Sequence, residues 1–419
     1  MTHSLDDTLG LVRRTCQPLP PTPVPLAQAL GRVLREPLHA PEDLPPFDRS
    51  AMDGYAVRSD EASRTLVVVD ELRAGDWKPR ELAPGQAVRV ATGAALPRTE
   101  LRVVPQEEVA RFGDSIQLRQ PPEEGWIRRR GEDARQGTIL LNPGTRLGPG
   151  HLTLCAALGQ TTLATTRLPR IVHLTTGNEI VPPEATPMPG QIRDSNSTLV
   201  RALLGAWGYP VQQRTAGEDF DTALAALGEL DPASIDLLLI SGGSSVGDHD
   251  VTGPLLEALG YSILVRKTNV RPGRPLLFAS RAGSVAFGLP GNPVSHFVCC
   301  HLYVAAALRR LAGLSPLDPF VHGRLRRPLD QEPHPRESLL PARLGWEQDR
   351  LMTEPIDWRS SGDVAALARI EALLRLPPGS GNLPAGARVA LLPLAWPGPG
   401  RRSEERRVGE ECRCRGSPD

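Results

Sequence analysis

A regular alternation of apolar strands and helices between residues 170 and 312 constrains the fold of this chain more than any other feature. The strand candidates IVHLT, PVQQRT, IDLLLIS and SVAFGL are each followed by a segment with helical character. Parallel strands need a crossover connection, usually a helix, and their burial on both faces makes them continuously apolar. The pattern therefore predicts a parallel, doubly wound sheet. The last helix contains Arg309 and Arg310, so its apolar run predicts a core helix rather than a membrane span.

The residues before this segment follow other patterns. Residues 4–16 and 26–35 carry apolar residues at helical spacing on either side of the segment QPLPPTPVP, so we expect two short helices joined by a stiff linker. From Val57 to about Thr138, short alternating runs bounded by Gly, Pro or Asp predict a small all-β module. Residues 139–168 have a strand, turn and helix pattern.

The C-terminal part predicts a second β module and a tail. Residues 317–396 consist of short strand patterns and turns that end in ARVALLPL. The segment 401–419 is charged, unpatterned and unlike the rest of the chain, so we expect it to be disordered or foreign. Its Cys412 and Cys414 are therefore not interpreted as a metal motif.

Charge and cysteine content exclude several classes of function. The 419 residues include 48 Lys and Arg against 48 Asp and Glu, so no net field attracts nucleic acid or a membrane, and we expect a small ligand held by a local patch. The six cysteines form no CxxC pair, which argues against a disulfide framework or a zinc site and favours the reducing cytoplasm. The N-terminal segment lacks the apolar core of a signal peptide, so we expect a soluble protein.

Three loops of the 170–312 segment fall at the carboxyl ends of predicted strands, where ligands of parallel sheets collect. They are residues 175–179, 241–250 and 289–295. The middle loop combines glycines with serines, so its backbone can approach a phosphate closely and its hydroxyls can add donors. Taken singly, each loop is equally consistent with a turn. Their convergence at one edge of the sheet predicts an anion-binding site.

Acidic and basic residues accompany these loops. Asp248 and Asp250 follow the glycine and serine residues, and carboxylates repel phosphate unless a divalent cation such as Mg²⁺ lies between them. The segment RKTNVRPGRP carries Arg271, Arg274 and Lys267, one of only two lysines in the chain. It is consistent with a solvated basic turn or with a clamp for oxyanions.

Eight segments together resemble one family. They are FDRSAMDGYAV, VATGAALP, IRRRGEDARQGTIL, TTGNE, IRDSN, SGGSSVGDHD, RPGRP and GLPGNPVS, in this order. This succession, within a match from about residue 5 to 396, resembles the molybdopterin molybdenumtransferase family, which comprises MoeA in bacteria and the gephyrin E domain in animals. Arg271 and Arg274 stand where the family usually has Lys.

The resemblance implies a multidomain α/β protein. Its central domain is a MogA-like, doubly wound, molybdopterin-binding α/β domain, accompanied by a helical linker domain and two β-rich modules. The family is homodimeric, and its active cleft lies between the α/β domain of one subunit and the first β module of the other. The implied limits are 1–46 plus 137–168 for the helical linker domain, 47–136 for the β-rich module, 169–315 for the α/β domain, 316–396 for a C-terminal β-barrel and 397–419 for the tail.

The implied reaction consumes molybdopterin-AMP and molybdate with the help of Mg²⁺ and yields molybdenum cofactor and AMP. The partners expected are a second copy of the chain, a MogA-type adenylyltransferase and apo-molybdoenzymes. There are two alternatives: a MogA-like molybdopterin adenylyltransferase, and a non-catalytic scaffold of the gephyrin kind that uses the same fold. The two β modules argue against the first alternative, and the carboxylates and anion loops argue against the second.

The resemblance also implies site residues. The catalytic candidates are Asp53, Asp133, Glu179, Asp219 and Asp250, and the last three are the candidates for binding metal, with no choice among them possible from the sequence. The candidates for binding substrate are Thr92, Thr176, Gly177, Ser241, Gly242, Gly243, Ser244, Ser245, Lys267, Arg271, Arg274, Pro290, Gly291, Asn292 and Pro293.

Overall fold

The structure is a computed structural model that describes residues 2–77, 81–96, 100–119, 125–228, 230–231, 234–242 and 251–394. The predicted site residues Gly243, Ser244, Ser245 and Asp250 and the predicted tail 397–419 lie outside the described residues. The chain forms two compact units. The larger unit contains the described residues of Met1–Pro23, Gly31–Val33 and Thr165–Asp419, and the smaller unit contains those of Val24–Leu30 and Leu34–Ala164.

The helices are few and short. A π-helical turn, Cys300–Val304, joins α6 to α7, and 3₁₀ turns occupy Leu26–Gln28 and Gln106–Glu108. None of the helices in the described ranges is both long and apolar enough to cross a membrane. The helices are α1 (Leu5–Thr15), α2 (Pro149–Ala157), α3 (Asn196–Ala206), α4 (Phe220–Gly228), α5 (Thr252–Ala258), α6 (Pro293–Cys299), α7 (Ala305–Leu311) and α8 (Val364–Leu367).

Strands contain more of the described residues than helices do. In chain order they are β1 (Pro21–Pro25), β2 (Leu38–His39), β3 (Arg49–Ser50), β4 (Gly54–Arg58), β5 (Thr65–Leu72), β6 (Gln86–Val90), β7 (Leu101–Pro105), β8 (Val109–Phe112), β9 (Ser115–Leu118), β10 (Ile127–Arg128), β11 (Ile139–Leu141), β12 (Thr162–Thr166), β13 (Ile171–Thr176), β14 (Ile180–Val181), β15 (Ile192–Arg193), β16 (Val211–Ala216), β17 (Leu237–Ser241), β18 (Ser262–Val265), β19 (Val270–Arg271), β20 (Leu277–Arg281), β21 (Ser284–Leu289), β22 (Val321–Leu325), β23 (Glu337–Glu347), β24 (Arg350–Pro355), β25 (Ala372–Leu376) and β26 (Arg388–Pro393).

The larger unit is built on a six-stranded sheet of order β16-β13-β17-β21-β20-β18. The first four of these strands are parallel, as the sequence predicts. The prediction of a purely parallel sheet is wrong, because β20 runs antiparallel to β21 and β18 antiparallel to β20. Only Ala282 and Gly283 separate β20 from β21, and a two-residue connection can join only antiparallel strands.

Side chains that alternate along the strands enter two separate cores, one on each face of this sheet. In β17, Leu237 and Leu239 belong to the first core and Leu238 and Ile240 to the second. Helices α1, α3, α6 and α7 contribute to the first core, whereas α4 and α5 contribute to the second. Helices therefore cover both faces, which confirms the predicted doubly wound α/β domain.

Helix α1 confirms the prediction for residues 4–16. The Ser4 hydroxyl caps it by accepting a hydrogen bond from the Asp7 N–H (3.0 Å), and Leu5, Leu9 and Val12 are buried in the first core. The helix thus packs with the α/β sheet, and it belongs to the larger unit.

The predicted helix over residues 26–35 is wrong. Only the single 3₁₀ turn Leu26–Gln28 forms there. The Leu34 N–H donates to the Thr145 carbonyl and the Arg35 N–H to the Ala164 carbonyl, both at 2.9 Å. Pairing with distant segments therefore replaces the helix that the local apolar spacing favours.

Five strands of the C-terminal segment close into a barrel. Strand β23 pairs with β24, β24 with β22, β22 with β26, β26 with β25, and β25 returns to β23. The ring of pairings confirms the predicted C-terminal β-barrel. The short strand β19 of the α/β segment also pairs with β23, placing Val270 opposite Glu337 and Arg271 opposite Ser338.

The smaller unit contains the all-β module that the sequence predicts. Its six-stranded sheet has the order β7-β4-β6-β5-β9-β8 and a core on each face. The predicted strand and helix in residues 139–168 are also present, as β11 and α2. A third cluster, which includes Leu147, Cys155 and Leu163, packs around α2. The exact limits of the four predicted domains stay a prediction.

Candidate active site at the carboxyl edge of the α/β sheet

Three loops start side by side at the carboxyl edge of the α/β sheet. In the strand register, Thr175 of β13 lies opposite Ser241 of β17, and Ser241 lies opposite Leu289 of β21. The segments that follow these strands are the ones in which the sequence predicts an anion site. They share one edge because the three strands are parallel and adjacent.

Gly242 allows two of these loops to pass very close to each other. Its φ is +97°, and a Cβ atom built there would lie 2.2 Å from the Thr176 carbonyl oxygen. Gly177 is similarly restricted, with a φ of +146° and a built Cβ only 2.6 Å from a Glu179 carboxylate oxygen. A side chain at Gly242 would collide with backbone, whereas at Gly177 the positive φ is what favours glycine, because the nearest atoms belong to side chains.

A cavity of about 1330 Å³ opens at this edge, within the larger unit. The β14–β15 pairing brings Asp194 back to it, since the Asp194 N–H donates to the Val181 carbonyl (2.8 Å). Of the other predicted residues described in this unit, Gly177, Asp219 and Lys267 do not line the cavity. The predicted residues that line it are Thr176, Glu179, Ser241, Gly242, Arg271, Arg274, Pro290, Gly291, Asn292 and Pro293.

Three arginines form a basic side of the cavity: Arg271, Arg274 and Arg336. Burial lowers the pKa of Arg336, and the positive charges of Arg274 and Arg271 lower it further. Among the residues that the structure describes, no carboxylate forms an ion pair with any of the three. The pairing of β19 with β23 brings them together. Three arginines close together and without an ion-pair partner are suited to bind an oxyanion.

A loop of the barrel completes this side. The Asn292 amide donates to the Ser361 hydroxyl (3.1 Å), and the Val294 N–H donates to the Ser361 carbonyl (2.9 Å). These bonds attach the loop to the beginning of α6, where Pro293 occupies the first helical position, as the sequence predicts. Arg359 and Ser361 consequently line the cavity.

A buried polar network lies beneath the cavity. The Gln213 amide nitrogen donates to the Ser197 carbonyl (3.2 Å), which leaves its oxygen to accept from His173 Nδ1 (2.7 Å). The other ring nitrogen of His173 is then an acceptor, and the Ser241 hydroxyl donates to it (2.6 Å). His173 is fully buried, and burial lowers its pKa to about 4, so the ring is neutral at neutral pH.

A second buried histidine adjoins the network. His296 of α6 donates from Nδ1 to the Pro290 carbonyl (3.2 Å), and its ring centroid lies 6.3 Å from that of His173. Burial lowers the pKa of His296 to about 3, and His173 contributes to this decrease. The two rings thus link β13 to the beginning of α6.

Three predicted site residues lie in the smaller unit. The Thr92 hydroxyl and N–H both donate to Asp53 Oδ1 (2.6 Å each) and lower the pKa of that carboxyl. Asp133 forms an ion pair with Arg128. Asp53 and Thr92, which the resemblance implies as a catalytic and a substrate-binding candidate respectively, are therefore in direct contact.

Another acidic candidate of the larger unit, Asp219, immediately precedes α4. Its carboxylate accepts from the Thr222 N–H (2.8 Å) and the Thr222 hydroxyl (2.6 Å), and these bonds lower its pKa. Within the described residues, no group of three or more His, Cys, Asp or Glu side chains could hold a metal ion. A metal-binding role of Asp219, Glu179 or Asp250 stays a prediction.

Three family models match successive parts of the chain and together cover well over half of it. They are the MoeA N-terminal region (domain I and II) at residues 3–159, the "Probable molybdopterin binding domain" at 173–310 and the MoeA C-terminal region (domain IV) at 323–394. The chain belongs to the MoeA family. This membership confirms the resemblance that the eight sequence motifs indicate.

Several relatives are similar to this chain over nearly their whole length. The molybdopterin molybdenumtransferase of Bacillus subtilis is 32% identical over 383 residues, covering 88% of this chain and 89% of the relative, and that of Nostoc sp. is 33% identical over 390 residues, covering 88% of each. The crystal structure of a MoeA protein from Pyrococcus horikoshii superimposes with a TM-score of 0.78 at 27% identity, over 93% of this chain and 99% of that one.

The MoeA motifs did not reveal every residue of the cavity. Asp194 and Asn196 line the cavity and belong to the motif IRDSN, but the predicted site does not include them. The motif could have indicated both residues. Arg336, Arg359 and Ser361 come from the barrel, where the sequence shows only short strands and turns. No local pattern distinguishes these barrel residues from solvated ones.

Proposed function

We propose that this protein inserts molybdenum into molybdopterin, using molybdopterin-AMP and molybdate as substrates and releasing AMP. The reaction is a step of molybdenum cofactor biosynthesis and corresponds to the name of the relatives, molybdopterin molybdenumtransferase. The protein is accordingly a transferase, and both substrates carry oxyanion groups.

One observation carries this proposal: the unpaired arginines Arg271, Arg274 and Arg336 line a cavity at the carboxyl edge of the α/β sheet. Pyrophosphate and molybdate oxygens accept hydrogen bonds in pairs, which matches the fork of a guanidinium group. Charge that develops on the phosphoryl oxygens during cleavage is stabilised by such fixed donors. The remaining polar groups of the cavity orient the substrate.

The carboxylate side chains of the cavity also fit a magnesium ion, because Mg²⁺ prefers oxygen ligands such as carboxylates. Mg²⁺ is usually bound by one or two carboxylates together with substrate phosphates rather than by a complete protein cage. Glu179 lines the cavity and would provide such a carboxylate. When bound, Mg²⁺ supplies charge neutralisation at the pyrophosphate. Asp219 and Asp250 are retained as further candidates from the resemblance.

We further propose that the protein is a cytoplasmic homodimer whose complete site includes Asp53, Thr92 and Asp133 of a second copy. The described cysteines are free and buried, which is compatible with a reducing compartment. The chemistry of the reaction defines two other partners: a MogA-type adenylyltransferase produces the substrate molybdopterin-AMP, and apo-molybdoenzymes receive the product.

An assay of AMP release tests the proposed function. We expect purified protein to release AMP from molybdopterin-AMP when molybdate and Mg²⁺ are present, and to allow reconstitution of an apo-molybdoenzyme. Arg336→Gln removes the charged fork and is expected to lower the rate about 10- to 100-fold, the usual effect of losing a charge-assisted hydrogen bond. Arg388, which is exposed on β26 and does not line the cavity, offers a matched control.

Two results would contradict the proposal. One is AMP release no faster than in a protein-free control. The other is an equal effect of Arg336→Gln and Arg388→Gln, which would show that the basic side of the cavity does not contact the reacting groups.

A further inference from the structure

A second group of cavity residues offers only hydrogen-bond acceptors. The clearest case is Asn196, which lines the cavity at the first turn of α3. Its amide nitrogen donates to the Gly291 carbonyl (2.8 Å), and a carbonyl cannot donate, so the orientation of the amide is determined. The amide oxygen of Asn196 is buried and lacks a hydrogen-bond partner among the described residues. An unpaired buried acceptor of this kind is costly unless a ligand or water donates to it.

Asp194 adds a carboxylate two residues earlier. Its Oδ1 accepts from the Ser197 N–H (2.9 Å), which holds the side chain at the beginning of α3. The structure shows no side-chain donor to its other oxygen within the described residues, and Asp194 lines the cavity. The two oxygens of an ionised carboxylate accept about four hydrogen bonds between them, so capacity for a donor-rich ligand remains.

Ser241 is also an acceptor, contrary to the expectation that the hydroxyls of this loop donate to phosphate. Its proton is directed to His173 Nε2 (2.6 Å), because Gln213 requires the other ring nitrogen of His173 to be the donor. The Ser241 oxygen therefore has only lone pairs left to offer. His173 thus acts as a positioning residue that determines the direction of the Ser241 hydrogen bond.

The cavity therefore contains two chemically opposite groups. The donor group is Arg271, Arg274 and Arg336, and the acceptor group is Asp194, Asn196 and Ser241. Phosphate and molybdate oxygens accept hydrogen bonds but do not donate them. They would therefore repel the oxygens of the acceptor group and leave those oxygens without hydrogen bonds. A ligand that satisfies both groups carries anionic oxygens as well as N–H donors.

We propose that the acceptor group binds the N–H edge of the pterin ring, with Asp194 as the residue that selects it. The 2-amino group and N3–H of a pterin are adjacent donors, and a carboxylate matches such a pair with two parallel hydrogen bonds. This inference rests on the proposed function, which makes a molybdopterin the substrate. In this proposal the pterin ring of the substrate lies at the beginning of α3, and the pyrophosphate lies at the arginines.

The test uses the full chain and two fluorescent probes, 6-hydroxymethylpterin and 6-hydroxymethyllumazine. The lumazine has a carbonyl in place of the 2-amino group, so it presents an acceptor where the pterin presents a donor. We expect the wild-type protein to bind the pterin at least about tenfold more tightly than the lumazine, as expected when a buried acceptor is left unpaired. Fluorescence titration measures both dissociation constants.

Asp194→Asn is the decisive variant. Asparagine keeps one oxygen for the Ser197 N–H but replaces the other with a donor, so α3 retains its cap. We expect it to weaken pterin binding at least about tenfold and to abolish the preference over lumazine, with the binding of inorganic pyrophosphate unchanged. Asp318→Asn is the control, because Asp318 also accepts one backbone N–H, that of Phe320 (3.1 Å), but does not line the cavity.

Three results would overturn the inference: no pterin binding by the wild type, equal affinity for the two probes, or unchanged pterin affinity in Asp194→Asn. None of these results contradicts the proposed function as long as the protein still releases AMP. Equal losses of pterin and pyrophosphate binding in Asp194→Asn would also overturn it, because they would indicate a general disturbance of the cavity. Thermal unfolding of each variant verifies that the chain is folded.

Discussion

At the scale of single residues, Gly242 carries the strictest requirement in the site. Any Cβ atom there would lie 2.2 Å from the Thr176 carbonyl oxygen, and its φ of +97° is one that other residues rarely adopt. Glycine at this position therefore lets two strand-end loops approach each other closely. The geometry of the cavity edge depends on that approach.

We predict that Gly242→Ala lowers the free energy of unfolding by at least about 2 kcal/mol, because backbone strain and a steric clash add. Denaturant titration measures the change. Gly291→Ala is the control, since a Cβ atom at Gly291 meets nothing within 4 Å. Equal stability of the two variants would show that β13 and β17 do not approach as described.

Two of the predicted acidic site residues are held in place by hydrogen bonds from threonines. Asp53 accepts two bonds from Thr92, and Asp219 accepts two from Thr222 at the beginning of α4. Each carboxylate is thus held in one orientation by a neighbouring threonine. The two bonds from Thr222 account for the position of the Asp219 carboxylate in the fold. They do not require its predicted role in metal binding.

At the scale of elements, the contact between β13 and α6 depends on two neutral histidines. Burial lowers the pKa of His173 to about 4 and that of His296 to about 3. The charged groups that act on His173 are Asp194, which raises its pKa, and Arg201, which lowers it. In the unfolded chain both rings take up protons below about pH 6.5, whereas in the folded protein they stay neutral.

The sign of the pH dependence follows. The unfolded state binds more protons than the folded state, so the free energy of unfolding is highest above about pH 6.5 and decreases as the pH falls toward 4. Each ring contributes about 2 kcal/mol of this decrease between pH 6.5 and 4.5. We predict that His296→Gln, which retains a donor for the Pro290 carbonyl, removes the contribution of one ring.

Urea unfolding at a series of pH values measures this effect. The wild type and His322→Gln, a change of an exposed histidine, should show the same steep decrease, and His296→Gln should show a shallower one. Parallel curves for all three proteins would mean that His296 is not kept neutral by the fold.

At the scale of the whole molecule, the proposed homodimer makes the active site a shared one. Arg336 lies in the larger unit and Asp53 in the smaller unit. If each site combines the larger unit of one copy with the smaller unit of the other, a mixed dimer of two inactive variants contains one intact site.

We therefore predict complementation between Asp53→Asn and Arg336→Gln. Each variant alone should release AMP slowly, and a mixture in equal amounts, after exchange of subunits, should recover about a quarter of wild-type activity, because half of the dimers are mixed and each has one working site. Sedimentation of the mixture verifies that dimers form. No recovery in a mixture that has exchanged subunits would place Asp53 and Arg336 in a site made by one copy.

The sequence by itself determined the order and type of most elements, because hydrophobic periodicity and turn residues are local properties. Alternating strands and helices between residues 170 and 312 were sufficient to predict the doubly wound domain, and the short runs on either side predicted the two β modules. The eight motifs identified the family and most residues of the cavity edge, since glycine and proline at strand ends leave a local signature.

Only the tertiary structure decided which distant segments meet. The pairing of β19 with β23 brings Arg336 to Arg271, and the bond between Asn292 and Ser361 brings the barrel loop to α6. The same kind of pairing, at Leu34 and Arg35, prevents the helix that the spacing of residues 26–35 favours. The direction of the Ser241 hydrogen bond likewise depends on His173 and Gln213, which lie far from it in sequence. Hydrogen-bond partners and charge neighbours are properties of the folded arrangement, so no local pattern contains them.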